Sequence, residues 1–257
     1  MAKSKTHTIS IILPAYKQER TIIKNISKLE VVLKSLGYKY EIIVVVDGKE
    51  DKTQEKVRSI SSRKIKTITF EKNQGKGNAI KYGGLKASGD IIGFIDAGMD
   101  IDLSGISMLL NHFMWYNADI IVGSKMHPVS QVNYPLYRKF LSWGYRTFTH
   151  LLFGFKIRDT QVGIKLYRKK VVKDVFPRLL VKSFAFDVEI LALAYVLGYK
   201  RIYEAPIKLK FGGKSSITSS NLWKTIMLML WDTSAVFYRI RILKYYRKSN
   251  RKNWLKQ

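Results

Sequence analysis

The chain has no cysteine. Disulfides and thiolate metal sites are therefore excluded, which fits a reducing compartment. Histidine is scarce. His7, His112, His127 and His150 are scattered and make no metal-ligand pattern. No stretch reaches the roughly 18 to 20 apolar residues that a membrane-spanning helix needs. The opening MAKSKTHTIS carries charge but no apolar core, so no secretory signal is expected. Acids are few: 19 Asp and Glu stand against 46 Lys and Arg, a net charge of +27. Such a chain attracts anions. No helix-turn-helix, RNP or zinc-finger pattern points to nucleic acid, so none is expected as a partner.

Where acids are scarce, a cluster of them is informative. Asp96, Asp100 and Asp102 follow directly on the apolar run Ile91 to Ile95, in IIGFIDAGMDID. The run reads as a buried strand, with the aspartates where it leaves the sheet. Ligands of open α/β sheets bind at the carboxyl ends of strands. The cluster therefore points to a metal or phosphate-sugar site. For Asp102 a second reading stands beside this one: Asp102 or Ser104 caps a helix beginning near Gly105.

At 257 residues and 46% hydrophobic, the chain can build one large domain or two small ones. Its first half alternates strands and helices. Strands are read at Thr8 to Leu13, Tyr40 to Val46, Ile65 to Phe70, Ile91 to Ile95 and Asp119 to Gly123. Helices are read at Glu19 to Leu36, Lys52 to Ile60, Gly77 to Ala87 and Ser104 to Tyr116. This repetition predicts a mostly parallel sheet covered on both faces. Three strands end in polar groups, Pro14-Ala15-Tyr16, Asp47-Gly48 and Asp96, which would face one cleft.

The second half is less regular. An aromatic-rich amphipathic helix is read at Tyr134 to Phe153, a strand at Gly163 to Tyr167, and a helix at Phe184 to Leu197. Ile202 to Leu209 is β-like, Lys210 to Ser220 a loop, and Asn221 to about Tyr246 a closing helix. From Arg239 to Gln257 there are eight Lys or Arg and no acid. An apolar helix leading into a basic tail suits an anionic membrane surface; the alternative is a core helix with a solvated tail.

Taken together these motifs resemble glycosyltransferase family 2, and within it the dolichyl-phosphate (polyprenyl-phosphate) mannose and glucose synthases. ISIILPAYKQE is similar to the family's strand followed by P-x-Y-N-E. EIIVVVDGKEDKT is similar to its VVDDGS-x-D-x-T. NQGKGNAIKYGGLKASGDIIGFIDAG is similar to its N-x-G-K-G-x-A helix and D-x-D block. The resemblance runs in order from Ile9 to about Ser216.

It implies a GT-A type, Rossmann-like α/β fold over residues 1–216. Beyond it, the amphipathic helix and basic tail over 217–257 are expected, from their composition, to attach to the cytoplasmic face of a membrane. It implies an inverting transfer of a hexose, mannose favoured, from GDP-mannose or UDP-glucose to dolichyl or polyprenyl phosphate. Pro14, Tyr16 and Glu19 would hold the nucleoside, and Asp47 would accept from the base. The lesser reading of Glu19 is a first-turn helix acid, and of Asp47 a turn-forming Asp-Gly. Val46 stands where the family usually has a first aspartate. Lys76, between glycines at a helix start, would meet the diphosphate; the alternative is a surface turn leading into the helix.

The D-x-D element departs from the pattern, reading Asp96-Ala97-Gly98. Asp96 with Asp100 would hold Mg²⁺ or Mn²⁺, hard cations that need oxygen ligands; the alternative is that the missing carboxylate weakens metal binding and leaves a slow or non-catalytic nucleotide-sugar-binding relative. Lys125, Arg138 and Lys214 would hold the acceptor phosphate, or are ordinary surface charges in a chain with 46 Lys and Arg; Lys210 and Lys214 lie in a substrate-binding loop similar to R-x-x-G-x-S, with Ser215 matching its serine. Asp159, in DTQVG, would orient acceptor cations or sugar. Glu189, in FDVE, would reach the donor sugar or pair with a buried Arg or Lys.

Overall fold

The computed structural model describes residues 7–98, 102–130, 136–154, 157–208 and 222–250. Its seven strands are β1 (Thr8–Ala15), β2 (Lys39–Asp47), β3 (Ile65–Phe70), β4 (Ile91–Ile95), β5 (Ile120–Ser124), β6 (Ile164–Arg168) and β7 (Ile202–Pro206). They form one sheet in the order β3-β2-β1-β4-β6-β5-β7. The helices are α1 (Ile22–Ser35), α2 (Thr53–Arg58), α3 (Lys76–Lys86), α4 (Gly105–Trp115), α5 (Leu136–Phe153), α6 (Lys169–Val175), α7 (Phe186–Val196) and α8 (Leu222–Arg241).

β2 shows why the sheet is central. Eight of the nine residues of KYEIIVVVD are buried, as a strand covered on both faces requires. In β1, Ile9, Ile11 and Leu13 point to one apolar layer, with α1 and α4. Ile12 points to the other, with α3, α6 and α7. Helix α1 buries Ile22, Ile26, Leu29 and Leu33, one stripe at helical spacing. Helix α7 buries nine of its eleven residues, Phe186 to Ala194, and so runs through the core.

β1, β2, β3 and β4 pair in parallel, so their carboxyl ends share one edge. β6 runs antiparallel to both β4 and β5. The start of β6 therefore lies at that same edge: Ile164 pairs with Ile95. This reversal brings the turn before β6 beside Asp96.

Several boundaries differ from those read in the sequence. Helix α6 and a 3-10 turn at Phe176–Arg178 were not read at all. Helix α8 stops at Arg241, and the chain turns through Lys244, which has φ 50°. Helix α7 starts at Phe186 rather than Phe184, and β7 ends at Pro206 rather than Leu209.

Candidate active site

Asp47, Gln74, Gly75, Lys76 and Asp96 form a continuous bridge along the carboxyl edge. Asp47 ends β2 and is buried. Its Oδ1 accepts the Gln74 N–H at 2.7 Å, and its Oδ2 accepts the Gly75 N–H at 2.9 Å. The next residue, Lys76, begins α3 and places Nζ 2.6 Å from Oδ1 of Asp96. Gly75 permits this path. Its φ is +95°, and a Cβ there would lie 2.4 Å from the Lys182 carbonyl oxygen.

Lys76 stays cationic. Burial lowers its pKa, but Asp96 and Asp187 raise it more, and the net direction is upward. Its ammonium stands 5.8 Å from the ring centroids of Phe94 and Phe186, close enough for cation–π attraction.

Asp96 has a built seat. Its N–H donates to the Gly163 carbonyl at 3.0 Å. Its carboxylate lies on the bare Cα of Gly163, where a Cβ would come within 2.3 Å of Oδ2. The side chain is 43% exposed, so the seat holds it open to the cleft.

A second pair stands at the neighbouring strand end. Asp159 is buried and accepts the Lys125 N–H at 2.9 Å, with Lys125 Nζ 3.9 Å away. Glu204 of β7 accepts the N–H groups of Arg158 and Asp159 at 3.0 Å each, which fixes that turn. Behind both pairs lies a third. Lys165 of β6 donates to Asp187 Oδ1 at 2.5 Å, and both are buried. Burial pulls the Lys165 pKa down and pushes the Asp187 pKa up, each opposed by the other's charge.

On the other side of the edge, Tyr16 and Glu19 sit in a polar clasp. Pro14 closes β1 beside Val45 of β2. The Tyr16 hydroxyl donates to Glu50 at 2.7 Å, and Lys17 reaches the same carboxylate at 2.8 Å. Glu19 Oε2 accepts the Lys52 N–H, while the Glu19 N–H donates to Asp51 Oδ2, each at 3.1 Å. The turns after β1 and β2 are thus tied to each other. Tyr16 is 40% exposed and offers a ring face beside the strand end.

Other expected site residues are placed elsewhere. Glu189 is fully buried. Its Oε2 accepts the N–H groups of Leu180 and Val181 at 2.9 Å each. Its Oε1 accepts the Tyr246 hydroxyl at 2.6 Å and lies 3.5 Å from an Arg239 nitrogen. Burial raises its pKa. Of its two readings the packing favours the pairing with an arginine, the half-buried Arg239, over contact with a donor sugar. Asp102 Oδ1 accepts the backbone N–H and hydroxyl of Ser104 at 3.0 and 2.9 Å, so it caps the turn into α4. Asp100, Lys210, Lys214 and Ser215 lie outside the described residues. Arg138 lies on α5, but its side chain is outside them.

The donor set bears on metal binding. Among the described residues, no group of three or more His, Cys, Asp or Glu could hold a metal ion. Asp96 supplies one open carboxylate. A Mg²⁺ or Mn²⁺ ion held there would take its other oxygens from substrate and water, which such ions accept.

Two residues of this edge, Lys165 and Asp187, escape sequence reading as site residues. A lysine inside the apolar GIKLYR was the available signal, because a charge in a central strand demands a partner.

Comparison with known proteins fits this geometry. The family model "Glycosyl transferase family 2" matches residues 10–176. The human dolichyl-phosphate beta-glucosyltransferase is 32% identical over 258 residues, covering 93% of this chain and 77% of that protein. Dolichyl-phosphate beta-glucosyltransferase ALG5A of Trichomonas vaginalis is 31% identical, covering 90% and 74%. The Dictyostelium discoideum dolichyl-phosphate beta-glucosyltransferase is 31% identical, covering 74% of this chain; the chain spans only 62% of that relative's length. Among solved structures, glucosyl-3-phosphoglycerate synthase of Mycobacterium tuberculosis, in complex with Mn²⁺, UDP and phosphoglyceric acid, superposes with a TM-score of 0.67 at 18% identity. It covers 90% of this chain and 78% of that one. The sheet and its flanking helices are thus of the GT-A type, and the chain belongs to glycosyl transferase family 2.

Proposed function

We propose that the protein is an inverting glucosyltransferase that moves glucose from UDP-glucose to a dolichyl or polyprenyl phosphate. The observation that carries this reading is the bridge from Asp47 through Gln74, Gly75 and Lys76 to Asp96. It sets a cation at a helix start beside an open carboxylate, as a diphosphate leaving group requires. The relatives' names favour a different sugar from the one expected. Mannose was the sequence expectation, but the three relatives above are named glucosyltransferases, so UDP-glucose replaces GDP-mannose as the favoured donor. Their "beta" product supports inversion, because the sugar of UDP-glucose is α-linked.

The chemistry asks little base catalysis of the protein. A lipid phosphate is already anionic and can attack C1 of the sugar as the C1–O bond to the diphosphate breaks. The protein must orient the two phosphates and neutralise the departing charge. Lys76 faces the leaving group in this reading, and Lys125, held by Asp159, faces the acceptor. Asp96 would hold a Mg²⁺ or Mn²⁺, which would supply further charge neutralisation.

Membrane attachment belongs to the same proposal. Among the described residues no helix is long and apolar enough to cross a membrane. Helix α8 instead has two faces. Thr233, Val236 and Ile240 are buried, while Trp223, Met227 and Trp231 are 75%, 63% and 74% exposed in one stripe. Exposed tryptophans beside a basic segment suit the headgroup layer of an anionic leaflet. The proposed location is the cytoplasmic face.

A donor screen tests the reading. Purified protein is mixed with polyprenyl phosphate and Mg²⁺, then offered UDP-glucose, GDP-mannose and UDP-galactose separately. Mass spectrometry is expected to find a hexosyl phosphoryl lipid with UDP-glucose. A product with GDP-mannose alone would reverse the choice of sugar, and no product with any donor would favour a non-catalytic relative.

A further inference from the structure

Strand β6 carries a lysine at the centre of the sheet. Its neighbours Ile164, Leu166 and Tyr167 are buried and apolar, and Lys165 itself has no exposure. Its ammonium donates to Asp187 and, at 2.8 Å, to the Val162 carbonyl, and stands 5.1 Å from the Phe94 ring centroid. Such a pair is poor value for stability. Burying the charges costs on the order of several kcal/mol per ion, and apolar residues of similar volume often hold a core as well or better.

Both partners of Lys165 stand one residue from the site. Val162 precedes Gly163, whose carbonyl receives the Asp96 N–H and whose Cα carries the Asp96 carboxylate. Asp187 follows Phe186, which closes against Gly77 and faces the Lys76 ammonium. Lys165 therefore joins the seat of Asp96 to the wall beside Lys76, from behind the cleft. Asp187 also lies within electrostatic reach of Lys76. Without Lys165, an unpaired Asp187 would compete with Asp96 for that ammonium.

We infer that Lys165 is a positioning residue: through Val162 and Asp187 it sets the Lys76–Asp96 separation on which binding of the donor diphosphate depends. The inference rests on the nucleotide-sugar reading above. Lys165 is buried and acts only through these neighbours.

The test compares wild type with K165M and the double variant K165M/D187L, all as full chains. K165M strands a buried carboxylate and is expected to melt lower. The double variant removes both charges and is expected to melt at or above the wild-type temperature. It should nevertheless bind UDP roughly 10- to 100-fold more weakly, the usual loss when the outer support of a binding group is removed. Its donor KM should rise while the lipid-phosphate KM holds. In its crystal structure the Lys76–Asp96 contact should open beyond about 4 Å, the limit of an ion pair.

Wild-type UDP affinity and an intact contact in a stable double variant would overturn the inference. So would a double variant that melts well below wild type, because the pair would then serve stability. The crystallographic distance needs no ligand. If wild type binds no nucleoside diphosphate, the donor reading fails while this measurement still decides the role of Lys165.

Discussion

The Lys76 ammonium stands 2.6 Å from Oδ1 of Asp96, although the two residues lie on different strand–helix units. Their side chains are 26% and 43% exposed, so water screens the pair and its contribution to stability is at most about 1 kcal/mol. Its value is therefore in placing opposite charges at the mouth of the cleft. D96N is expected to lower turnover by about 10²- to 10³-fold, the usual cost of removing a preorganised charge, with little change in melting temperature. K76M is expected to weaken UDP binding about tenfold and to flatten its salt dependence. Calorimetric titration at two ionic strengths checks both. A K76M variant that binds UDP like wild type would remove Lys76 from the donor site.

The contact between Asp96 and Gly163 makes a sharper prediction. A methyl group at position 163 would meet Oδ2 at 2.3 Å and Cγ at 2.5 Å. Gly163 does not adopt a positive φ, so the obstacle there is space alone. G163A must push the carboxylate out of its seat, and a displacement of about 1 Å can cost about 100-fold in rate. The variant should stay folded, because Asp96 has room on its open side. Activity close to wild type in G163A would mean that the seat does not set the carboxylate's working position.

Much of this edge was legible in the chain. The run IIGFID shows a buried strand ending in a carboxylate, and NQGKG shows a glycine-flanked lysine at a helix start. Both signals are local, and the structure puts them together. What stayed hidden depends on tertiary contacts. Asp47 reads as a turn residue or a base acceptor, but its two oxygens hold amides that are 27 and 28 residues away. Lys165 and Asp187 lie 22 residues apart, and no spacing rule joins a strand lysine to a helix aspartate. The direction of β6 was equally hidden, because a five-residue apolar strand reads the same either way. Glu189 sits in a motif that reads as a site, while four partners hold it inside the core.

At the opposite, amino-terminal edge, Glu41 predicts a pH effect. Its carboxylate accepts from the Ser10 hydroxyl at 2.6 Å and the Ser88 N–H at 2.7 Å, and pairs with Lys66 at 2.6 Å. Burial alone would raise its pKa. The pairing with Lys66 and the Ser10 and Ser88 hydrogen bonds outweigh burial and bring it from 4.5 to about 2. The folded pKa is therefore below the unfolded one. The linked stability, roughly 3 kcal/mol, is complete above pH about 4.5 and is lost as pH falls from there through about 2. Urea melts between pH 6 and pH 3 should show wild type losing more stability than E41Q over that window. Turnover at neutral pH should be the same in both, because Glu41 stands at the far edge from Asp96.

The exposed stripe of α8 predicts how the protein meets lipid. Trp223, Met227 and Trp231 are exposed, so serine at all three positions should leave the melting temperature nearly unchanged. Interfacial binding scales with the apolar area buried in the headgroup layer, and loss of two tryptophans and a methionine should cut partition into anionic vesicles by about tenfold or more. Sedimentation with vesicles of phosphatidylcholine and phosphatidylserine measures it. Turnover on a short, water-soluble polyprenyl phosphate should persist in the variant. Undiminished partition would move the attachment surface away from α8.

Gly98 is the sharpest departure from the family motif, and it is exposed two residues beyond Asp96. An aspartate there would add a second hard oxygen donor on the open side of the cleft. Cation affinity rises with the number of charged ligands, so G98D is expected to bind Mn²⁺ roughly tenfold more tightly in the presence of UDP. The lower metal requirement should appear as a leftward shift of the Mn²⁺ activation curve. If the present site already takes its remaining ligands from diphosphate and water, maximal turnover should change little. Mn²⁺ binding followed by electron paramagnetic resonance separates the two quantities. A G98D variant with unchanged Mn²⁺ affinity would place the cation, if one is used, away from the Asp96 strand end.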